Sequence, residues 1–465
     1  MKKLLLLTCL ITTAHADNQT SDLSTVSQLP LPFKITIELA DFSLPTGLQT
    51  TATAQCGSHY LFITGRTNGM HTFNNDNDNF PPNQQNTTVF VVNPCTRTVT
   101  TRSLHDPYSG LTQKQIDSLS VTAAQYYQKG NTLYIAGGYG VDSSTGLFST
   151  KDTLTAIDVP GLIQWVTRPQ CGTIATQYIR QISHPLLQVT GGHMFQIGKN
   201  PTLLMFGQNF QGYYVPDSNG NYTEQVRRFC IIDKGTGKCL SIVPLSPTPP
   251  DPNYRRRDLN IVPLIKKGNR KTIAAFVALS GVFTVTDGAW TVPVEISANG
   301  CTHMADPHAA TTFKQGMNNY ICPTVELISK EGTQYIALFG GITYEYFQGG
   351  QFFTDAELPF TNNVTIIKRC KCGYYSQYLS PNEYPTILST ASNPGNVLLF
   401  GASGRFMPAG NISAYSNGVL KLWKIKKPTI IGYIIGGIQS TVPNTSVASD
   451  SAASPYIFKV ILTPC

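Results

Sequence analysis

A short apolar segment that ends in glycine recurs along this chain and sets its organisation. The clearest copy, residues 131–140 (NTLYIAGGYG), has strand-forming residues up to Ala136 and then the pair Gly137 and Gly138. Glycine permits φ > 0 and close backbone approach, so the pair predicts a sharp turn at a strand end. Similar segments lie at 60–65, 203–207, 274–281, 335–341, 397–401 and 433–437. The recurrence indicates an internal structural repeat.

Most copies are followed, after a variable loop, by a second apolar strand. These second strands are predicted at 88–92, 154–159, 225–232, 364–367 and 456–462. Because the repeat strands are apolar at nearly every position, both of their faces must be covered. The blades of a β-propeller stack face against face and meet this condition without helices. We therefore predict an all-β propeller of four-stranded antiparallel blades, with 111–120 as the best candidate for a short helix.

The spacing of the terminal glycines predicts six blades, with seven as the alternative. Four strands and their loops need roughly 40 to 50 residues, and the step of 36 residues from Gly401 to Gly437 is too short for a blade. The segment 397–401 is therefore interpreted as part of an insertion or irregular blade. The N-terminal strand at 33–39 and the C-terminal strand at 456–462 are predicted to share one blade, which removes the open edge of unpaired termini.

The repeats resemble those of the Kelch family and of the galactose-oxidase-type central propeller. The resemblance is carried by the diglycine strands LYIAGGYG, YIALFGGITY and YIIGGI, followed by LTAIDV, VTIIKR and YIFKVI. It covers nearly the whole chain after the N-terminal leader. Several copies have a single glycine in place of the pair, and most copies lack the tryptophan that follows the diglycine in Kelch repeats. The resemblance implies the propeller fold more than any activity, because propellers carry many unrelated functions.

The N-terminus has the pattern of a bacterial secretory signal peptide. Residues 1–16 (MKKLLLLTCLITTAHA) combine two lysines, an apolar run and a small-x-small end, as signal peptides do. We predict a signal peptide at 1–16, a flexible segment at 17–30 and one propeller domain at 31–465. The protein is expected to be periplasmic or secreted. No later run approaches the ~20 apolar residues of a membrane helix, so no membrane span is predicted.

The charge pattern argues against nucleic acid as a partner. Lysine and arginine total 34 against 26 acidic residues, only 13% of residues are charged, and no basic run stands out. Nucleic-acid-binding surfaces show clustered lysine and arginine. We expect a monomer that binds no nucleic acid and needs no cofactor.

Ten of the 11 cysteines lie after the predicted leader, and an even number in an exported chain predicts disulfides. Strand geometry suggests two pairs: Cys56 with Cys95, at adjoining ends of paired strands, and Cys230 with Cys239, flanking a hairpin turn. A lone C-x-C string at 370–372 is a weak metal signal, so disulfides are preferred and no metal site is predicted. The disulfide candidates are Cys56, Cys95, Cys230, Cys239, Cys301, Cys322, Cys370, Cys372 and Cys465.

Candidate binding residues follow from the topology of an up-and-down blade. The loop after the second strand and the loop leading into the next blade emerge on the same face, so their side chains should converge there. The candidates are Arg66, Asn68, His71, Tyr139, His184, Tyr213, Arg256, Arg257, Asn319 and Tyr344. Arginine forks suit carboxylates, and aromatic faces suit sugars or peptide side chains. The predicted ligand is therefore a glycan or a protein, with an anionic ligand favoured by the arginines.

Two alternatives to a binding face stay open at this point. The arginines could instead pair with Asp258, Glu224 or Glu345 and fix loops in place. The second alternative is a metal-binding loop at 303–308, where two histidines and an aspartate lie within six residues. Its proline breaks the helical spacing that would aim both histidines at one ion, so no metal site is predicted there.

The sequence leaves three hypotheses for the function. The leading hypothesis is an exported, non-catalytic propeller that binds a glycan or protein through its loop-rich face. The second is a periplasmic carbohydrate-active enzyme of the Kelch type, similar to a sialic-acid mutarotase, which a buried titratable group beside an arginine would favour. The third is a structural or virulence-associated surface protein. No nucleophile elbow, paired-carboxylate motif or phosphate loop is recognisable.

Overall fold

Six four-stranded antiparallel sheets stand in a ring around a central channel and form a six-bladed β-propeller. The computed structural model describes residues 31–465 except 73, 76–78, 216–217, 219, 268–271, 287 and 446. The predicted signal peptide at 1–16 and flexible segment at 17–30 lie outside the described residues.

In blades 1 to 5 the strands follow chain order from the channel outward. Blade 1 comprises Ala52–Cys56, His59–Ile63, Thr88–Asn93 and Thr98–Ser103. Blade 2 comprises Gln125–Lys129, Thr132–Ala136, Thr153–Asp158 and Ile179–Ser183. Blade 3 comprises His193–Gln196, Thr202–Met205, Val226–Asp233 and Leu240–Leu245. Blade 4 comprises Asn260–Lys267, Thr272–Leu279, Val294–Ser297 and Thr302–Met304. Blade 5 comprises Thr324–Ile328, Gln334–Ile342, Phe360–Arg369 and Tyr375–Leu379, with Leu420–Lys421 added in parallel to its inner strand.

Blade 6 closes the ring with both ends of the described chain. Its inner strands are Arg405–Pro408 and Thr429–Ile435, its third strand is Ile457–Pro464, and Phe33–Leu39 is the outer strand. The predicted sharing of one blade by the terminal strands is confirmed, and the number of blades is six rather than seven. The segment 397–401 forms no blade strand; its buried Leu398 and Phe400 belong to the core between blades 5 and 6.

The core consists of apolar layers between neighbouring blades. Along the second strand of blade 1, Leu61 and Ile63 pack toward blade 2, whereas Tyr60 and Phe62 pack toward blade 6. Each strand therefore buries both faces, which explains why its sequence is apolar at nearly every position.

The connections that leave the second strands carry short ribbons and loops on one face of the ring. The ribbons are Tyr139–Val141 with Phe148–Thr150, Gln208–Asn209 with Asn221–Tyr222, Glu345–Gln348 with Gln351–Thr354, and Ile438–Ser440 with Ser451–Ala453. The described 3-10 helices are Pro82–Gln84, Pro169–Cys171, Ala175–Gln177, Pro185–Leu187, Pro252–Tyr254, Leu422–Lys424 and Ala448–Asp450.

Two α-helices occur among the described residues, Gln113–Leu119 and Val159–Thr167. The first begins at a Thr112 capping box and confirms the helix predicted at 111–120. The second begins after Asp158, whose side chain accepts a hydrogen bond from a backbone N–H of the first turn. Neither helix has the length or the apolar run needed to cross a membrane, and no other described helix does.

The glycine that ends a repeat strand is required by close packing of the backbone. Gly65 has φ of +91°, and a Cβ atom at this position would lie 2.2 Å from the carbonyl oxygen of Gln49. A side chain would therefore separate the second strand from the segment that enters the inner strand of the same blade.

The two predicted disulfide pairs are not formed, because the strand order separates them. Cys56 lies on the inner strand of blade 1 and Cys95 follows the third, with the second strand between. Two strand spacings amount to about 9 to 10 Å, more than the ~7 Å that a disulfide tolerates. Cys230 is opposite Val243, whereas Cys239 is level with Lys234, about 13 Å further along the hairpin.

Among the described residues one disulfide is present, between Cys370 and Cys372, whose Cα atoms are 5.2 Å apart. This bond agrees with the disulfide interpretation of the C-x-C string at 370–372. The remaining candidates are free thiols, as is Cys171: they are Cys56, Cys95, Cys230, Cys239, Cys301, Cys322 and Cys465.

Candidate functional site

One end of the channel opens into a pocket of about 220 Å³, which we call the mouth pocket. Every blade contributes to it in the same two ways. The residue two or three positions before each inner strand lines it, which supplies Thr50, Ala123, Gly191, Asp258, Ile321 and Ser403. The residues one or two positions after the repeat glycines supply Arg66, Tyr139, Gln208, Phe283, Ile342 and Ile438. Longer loops add side chains that include His71, Phe80 and Tyr214.

The backbone that enters each inner strand turns in the same unusual way. The six residues before the inner strands, from Thr50 to Ser403 in the first set above, all have φ between +48° and +69°. Five of them are not glycine, and such φ values are uncommon for residues with a side chain. Strained positions of this kind often occur at ligand sites, where the surrounding structure holds them. The left-handed turn places this ring of residues at the wall of the mouth pocket.

Arg66 is the most deeply buried charge of the pocket, with 2% of its surface exposed. Its Nε donates to Asn68 Oδ1 and its Nη2 to the carbonyl oxygen of Pro81, both at 2.9 Å. The guanidinium also lies 5.1 Å from the ring centre of Phe80. Burial lowers the pKa of Arg66 to about 10, so it remains charged at neutral pH. Among the described residues, no carboxylate forms an ion pair with it.

His71 lies beside Arg66 within an aromatic wall. Its ring centre is 4.9 Å from that of Phe80 and 5.0 Å from that of Tyr214, and its Nδ1 is 3.0 Å from the carbonyl oxygen of Thr72. Burial, together with the charges of Arg257 and Arg66, lowers the pKa of His71 to about 4. The ring is therefore neutral at pH 7 and can donate or accept a hydrogen bond.

Tyr139 continues this aromatic wall on the blade-2 side. Its ring packs 5.5 Å from Phe80 and 5.5 Å from Phe210, and its hydroxyl donates to the carbonyl oxygen of Gly212 at 2.7 Å. Burial raises the pKa of Tyr139, so the phenol stays protonated. The wall thus offers apolar ring surface with few free acceptors.

Arg257 lies on the blade-4 side and already has an acidic partner. Its Nη1 donates to Asp258 Oδ2 at 2.6 Å, its Nε to the Tyr222 hydroxyl at 2.9 Å and its Nη2 to the Tyr214 hydroxyl at 3.2 Å. Although burial opposes the charge, the Asp258 carboxylate and the two phenols hold the pKa of Arg257 well above its ordinary value. The alternative of an arginine paired with Asp258 is therefore realised at this position.

Four of the ten predicted residues line the mouth pocket: Arg66, His71, Tyr139 and Arg257. Asn68 lies behind Arg66 and orients its guanidinium. His184 and Tyr213 lie elsewhere: His184 caps the short helix Pro185–Leu187, and Tyr213 is 40% exposed beside Phe148. His184 misses the pocket because only the last residues of its loop, next to the inner strand, reach the channel.

The remaining three predicted residues serve the framework. Arg256 is fully buried, and its guanidinium donates to the carbonyl oxygens of Ser280 and Val292. Asn319 is also buried and donates to the Gly340 carbonyl oxygen. Tyr344 lies at the base of the ribbon 345–354, where its backbone N–H donates to Asn318 and its carbonyl oxygen accepts from Asp355.

The site also contains residues that sequence reasoning did not identify. Phe80 and Tyr222 come from long loops, 15 and 15 residues after their repeat glycines at 65 and 207, with no signal in the pattern. Asn444 follows the last repeat glycine, Gly437, and lines the pocket. The rule that located Arg66 and Tyr139 would have pointed to this last loop as well.

No group of three or more histidine, cysteine, aspartate or glutamate side chains converges as a metal site in the described part of the chain. At 303–308, Asp306 Oδ1 accepts a hydrogen bond from the backbone N–H of His308. His303 pairs with Glu295 across the outer strands of blade 4.

No protein-family model matches this sequence, and no curated protein matches it either. Among solved structures, one titled "Structure of YjhT" is similar to this chain, with 12% sequence identity and a TM-score of 0.45. The match covers 89% of this chain and 95% of the other. The Kelch resemblance therefore stays a prediction, whereas the six-bladed architecture rests on the strand order itself.

Proposed function

We propose that the mouth pocket binds a small ligand that carries a carboxylate, such as the terminal acidic sugar of a glycan. The observation that carries this proposal is the state of Arg66. Its Nη1 donates no hydrogen bond to any described residue, and none of the described carboxylates neutralises it. A buried guanidinium with free donors favours a planar anion that accepts two hydrogen bonds at once.

The rest of the pocket supports a sugar rather than a bare ion. The rings of Phe80, Tyr139 and Tyr214 give flat apolar surface beside the guanidinium, and such surface packs well against the C–H face of a sugar. The amide of Gln208 supplies hydrogen-bonding groups for hydroxyls. The volume of about 220 Å³ suits a single small residue, with any remaining chain outside the mouth.

The proposal is tested by titrating the purified protein with sialic acid and with its methyl ester, which removes the charge but keeps the ring. Saturable binding of the acid is expected, with the ester weaker by at least about tenfold, as for loss of a charge-assisted hydrogen bond. A glycan array supplies longer acidic and neutral ligands. Absence of binding to every acidic sugar and glycan would overturn the proposal.

Catalysis on such a sugar is the second candidate, because His71 is a buried titratable group beside an arginine. An enzyme that interconverts sugar anomers needs a group that can accept and return a proton near the ring. Exchange NMR of sialic acid anomers distinguishes the two functions. Acceleration in proportion to protein concentration, abolished in His71→Asn, supports an enzyme; binding without acceleration supports a binding protein.

We propose in addition that the protein is exported, as the leader at 1–16 indicates, and that it acts as a monomer in the periplasm or outside the cell. Fractionation of cells that express the full chain, with mass spectrometry of the mature N-terminus, tests this part. A protein that retains residues 1–16 in the cytoplasmic fraction would contradict it.

A further inference from the structure

Beneath the mouth pocket lies a second cavity of about 190 Å³ inside the channel, which we call the channel chamber. Its wall includes Tyr126, His193 and Arg405 on the inner strands of blades 2, 3 and 6. It shares Gly191 and Asp258 with the mouth pocket. The two cavities are therefore neighbours along one axis, with the Asp258 carboxylate at their junction.

Arg405 carries its charge into this chamber. From blade 6, its Nε donates to the carbonyl oxygen of Thr51, ahead of the inner strand of blade 1, at 2.7 Å. Its guanidinium lies 5.5 Å from the ring centre of Tyr126 in blade 2. It is also close enough to His193 in blade 3 for its charge, added to burial, to lower the pKa of that imidazole to about 4. The guanidinium thus extends from one blade toward three others.

The charge of Arg405 is not neutralised within the described residues. No described carboxylate forms an ion pair with it, and its Nη1 and Nη2 make no hydrogen bond to a described residue. An arginine has five N–H donors in a fixed plane, so Arg405 keeps most of them for an occupant of the chamber. Neutral His193 can add one further donor.

A second observation is an unsatisfied polar group on a residue of the chamber wall. Gln125, in the wall and 1% exposed, has an Oε1 atom without a hydrogen-bond partner among the described residues, while its Nε2 donates to the carbonyl oxygen of Ala123. Leaving a buried amide oxygen unsatisfied costs about 1 to 3 kcal/mol. Buried waters commonly satisfy such groups.

We propose that the channel chamber binds a small monovalent anion on the Arg405 guanidinium, with His193 as a second donor and water reaching Gln125. With one positive charge and four N–H donors that make no hydrogen bond to a described residue, the Arg405 guanidinium matches a single monovalent anion. The Asp258 carboxylate at the junction is already paired with Arg257, so it does not neutralise Arg405. This site is separate from the Arg66 site and does not depend on the proposed sugar binding.

The first test is diffraction from crystals of the protein grown or soaked in bromide, with the anomalous signal recorded at the bromine edge. A peak within hydrogen-bonding distance of the Arg405 guanidinium is expected. A chamber that contains only water would overturn the proposal. This measurement needs no variant, so it stands even where a substitution prevents folding.

The second test compares thermal unfolding in sodium chloride and in sodium gluconate at equal ionic strength, since gluconate is a much larger monovalent anion than chloride. A saturable increase in Tm of about 1 to 3 °C in chloride is expected from ligand linkage. Arg405→Met should abolish the difference between the salts, Arg405→Lys should retain part of it, and Arg97→Met at an exposed position should leave it intact. Equal Tm values for the parent in both salts, or an unchanged difference in Arg405→Met, would contradict the proposal.

Discussion

The two sides of the mouth pocket each hold an arginine, buried at Arg66 and partly buried at Arg257, yet the two are in opposite electrostatic states. On the blade-1 side, Arg66 contacts an amide, a carbonyl oxygen and an aromatic ring. On the blade-4 side, Arg257 is held by the Asp258 carboxylate and two phenols. Among the described residues, the first side therefore carries a net positive charge, whereas the second is locally neutral. The comparison shows that an arginine's partners, rather than its position on a ligand face, decide whether it is available to a ligand.

A third arginine, adjacent in sequence, extends the comparison. Arg256 points away from the pocket and is enclosed by carbonyl oxygens, the Met304 sulfur and the Trp290 ring. Burial lowers its pKa to about 9, and it stays charged at neutral pH. Three arginines that the sequence predicts on one face thus divide into one with unused donors among the described residues, an ion-pair partner and a structural bridge.

The largest expected effect is on stability, at Arg256. Arg256→Met would leave the Ser280 and Val292 carbonyl oxygens without their buried donor, so we expect the free energy of unfolding to fall by about 3 kcal/mol. Denaturant titration measures it. Arg97→Met is the matched control, since Arg97 is exposed and should change stability by less than about 0.5 kcal/mol. A loss at Arg256 no larger than that of the control would show that its buried hydrogen bonds contribute little.

The next effect is on binding, at Arg66. Arg66→Gln should weaken binding of an acidic sugar by about 1.5 to 3 kcal/mol, or roughly 10- to 150-fold, because a charge-assisted contact is lost. Isothermal titration calorimetry measures the affinity, and Tm should change little. Arg66→Lys keeps the positive charge but not the planar guanidinium, so its affinity should lie between those of the parent and of Arg66→Gln. An unchanged affinity in Arg66→Gln, or a Tm lowered by several degrees, would make Arg66 a loop-fixing residue like Arg256.

The repeat pattern predicted the blades because a strand buried on both faces is apolar at nearly every position. The segments at 60–63 and 335–339 are apolar throughout, and each is packed between two neighbouring blades. The same pattern placed the residues that directly follow the repeat glycines, so Arg66 and Tyr139 were found. It failed where a long loop intervenes, as at His184 and Phe80, because the path of a loop is set by tertiary contacts.

Two other features could not be read from the sequence for specific physical reasons. The left-handed residues that line the pocket, such as Ala123 and Ile321, are not glycine, so their φ values leave no compositional signal. The disulfide prediction for Cys56 and Cys95 assumed that they flank one hairpin. It was wrong because the inner strand of the blade, which carries Cys56, precedes the repeat strand and adds one strand spacing.

A smaller effect is expected at Arg257, and it should depend on Asp258. Arg257→Gln removes the partner of the carboxylate, and the uncompensated charge should weaken binding of an acidic sugar by about 1 kcal/mol. Adding Asp258→Asn should restore most of the affinity, because both charges are then gone. Calorimetry on the two single variants and the double variant forms a double-mutant cycle. A double variant as weak as Arg257→Gln would mean that Arg257 contacts the ligand directly, and the contrast between the two sides would fail.

The smallest expected effect concerns pH, and it tests whether the blade-1 side owes its charge to Arg66 alone. Burial and the neighbouring arginines hold the pKa of His71 near 4, below its ordinary value, and the pKa of Arg66 near 10. Neither group changes charge between pH 6 and 8, so the affinity for an ionised sugar acid should vary by less than about twofold there.

The sign at lower pH follows from the same groups. As the pH falls toward 4, protonation of His71 adds a positive charge, so binding of a ligand that stays ionised should strengthen. In the unfolded chain His71 takes up this proton near pH 6.5, whereas in the folded protein its pKa is about 4. The free energy of unfolding should therefore decrease as the pH falls from about 6.5 to about 4. Calorimetry from pH 4.5 to 8 on the parent and on His71→Asn separates the two trends. A tenfold rise in affinity between pH 8 and 6 that disappears in His71→Asn would show an imidazolium in the pocket at neutral pH, and the positive charge of the blade-1 side would then be shared by His71 and Arg66.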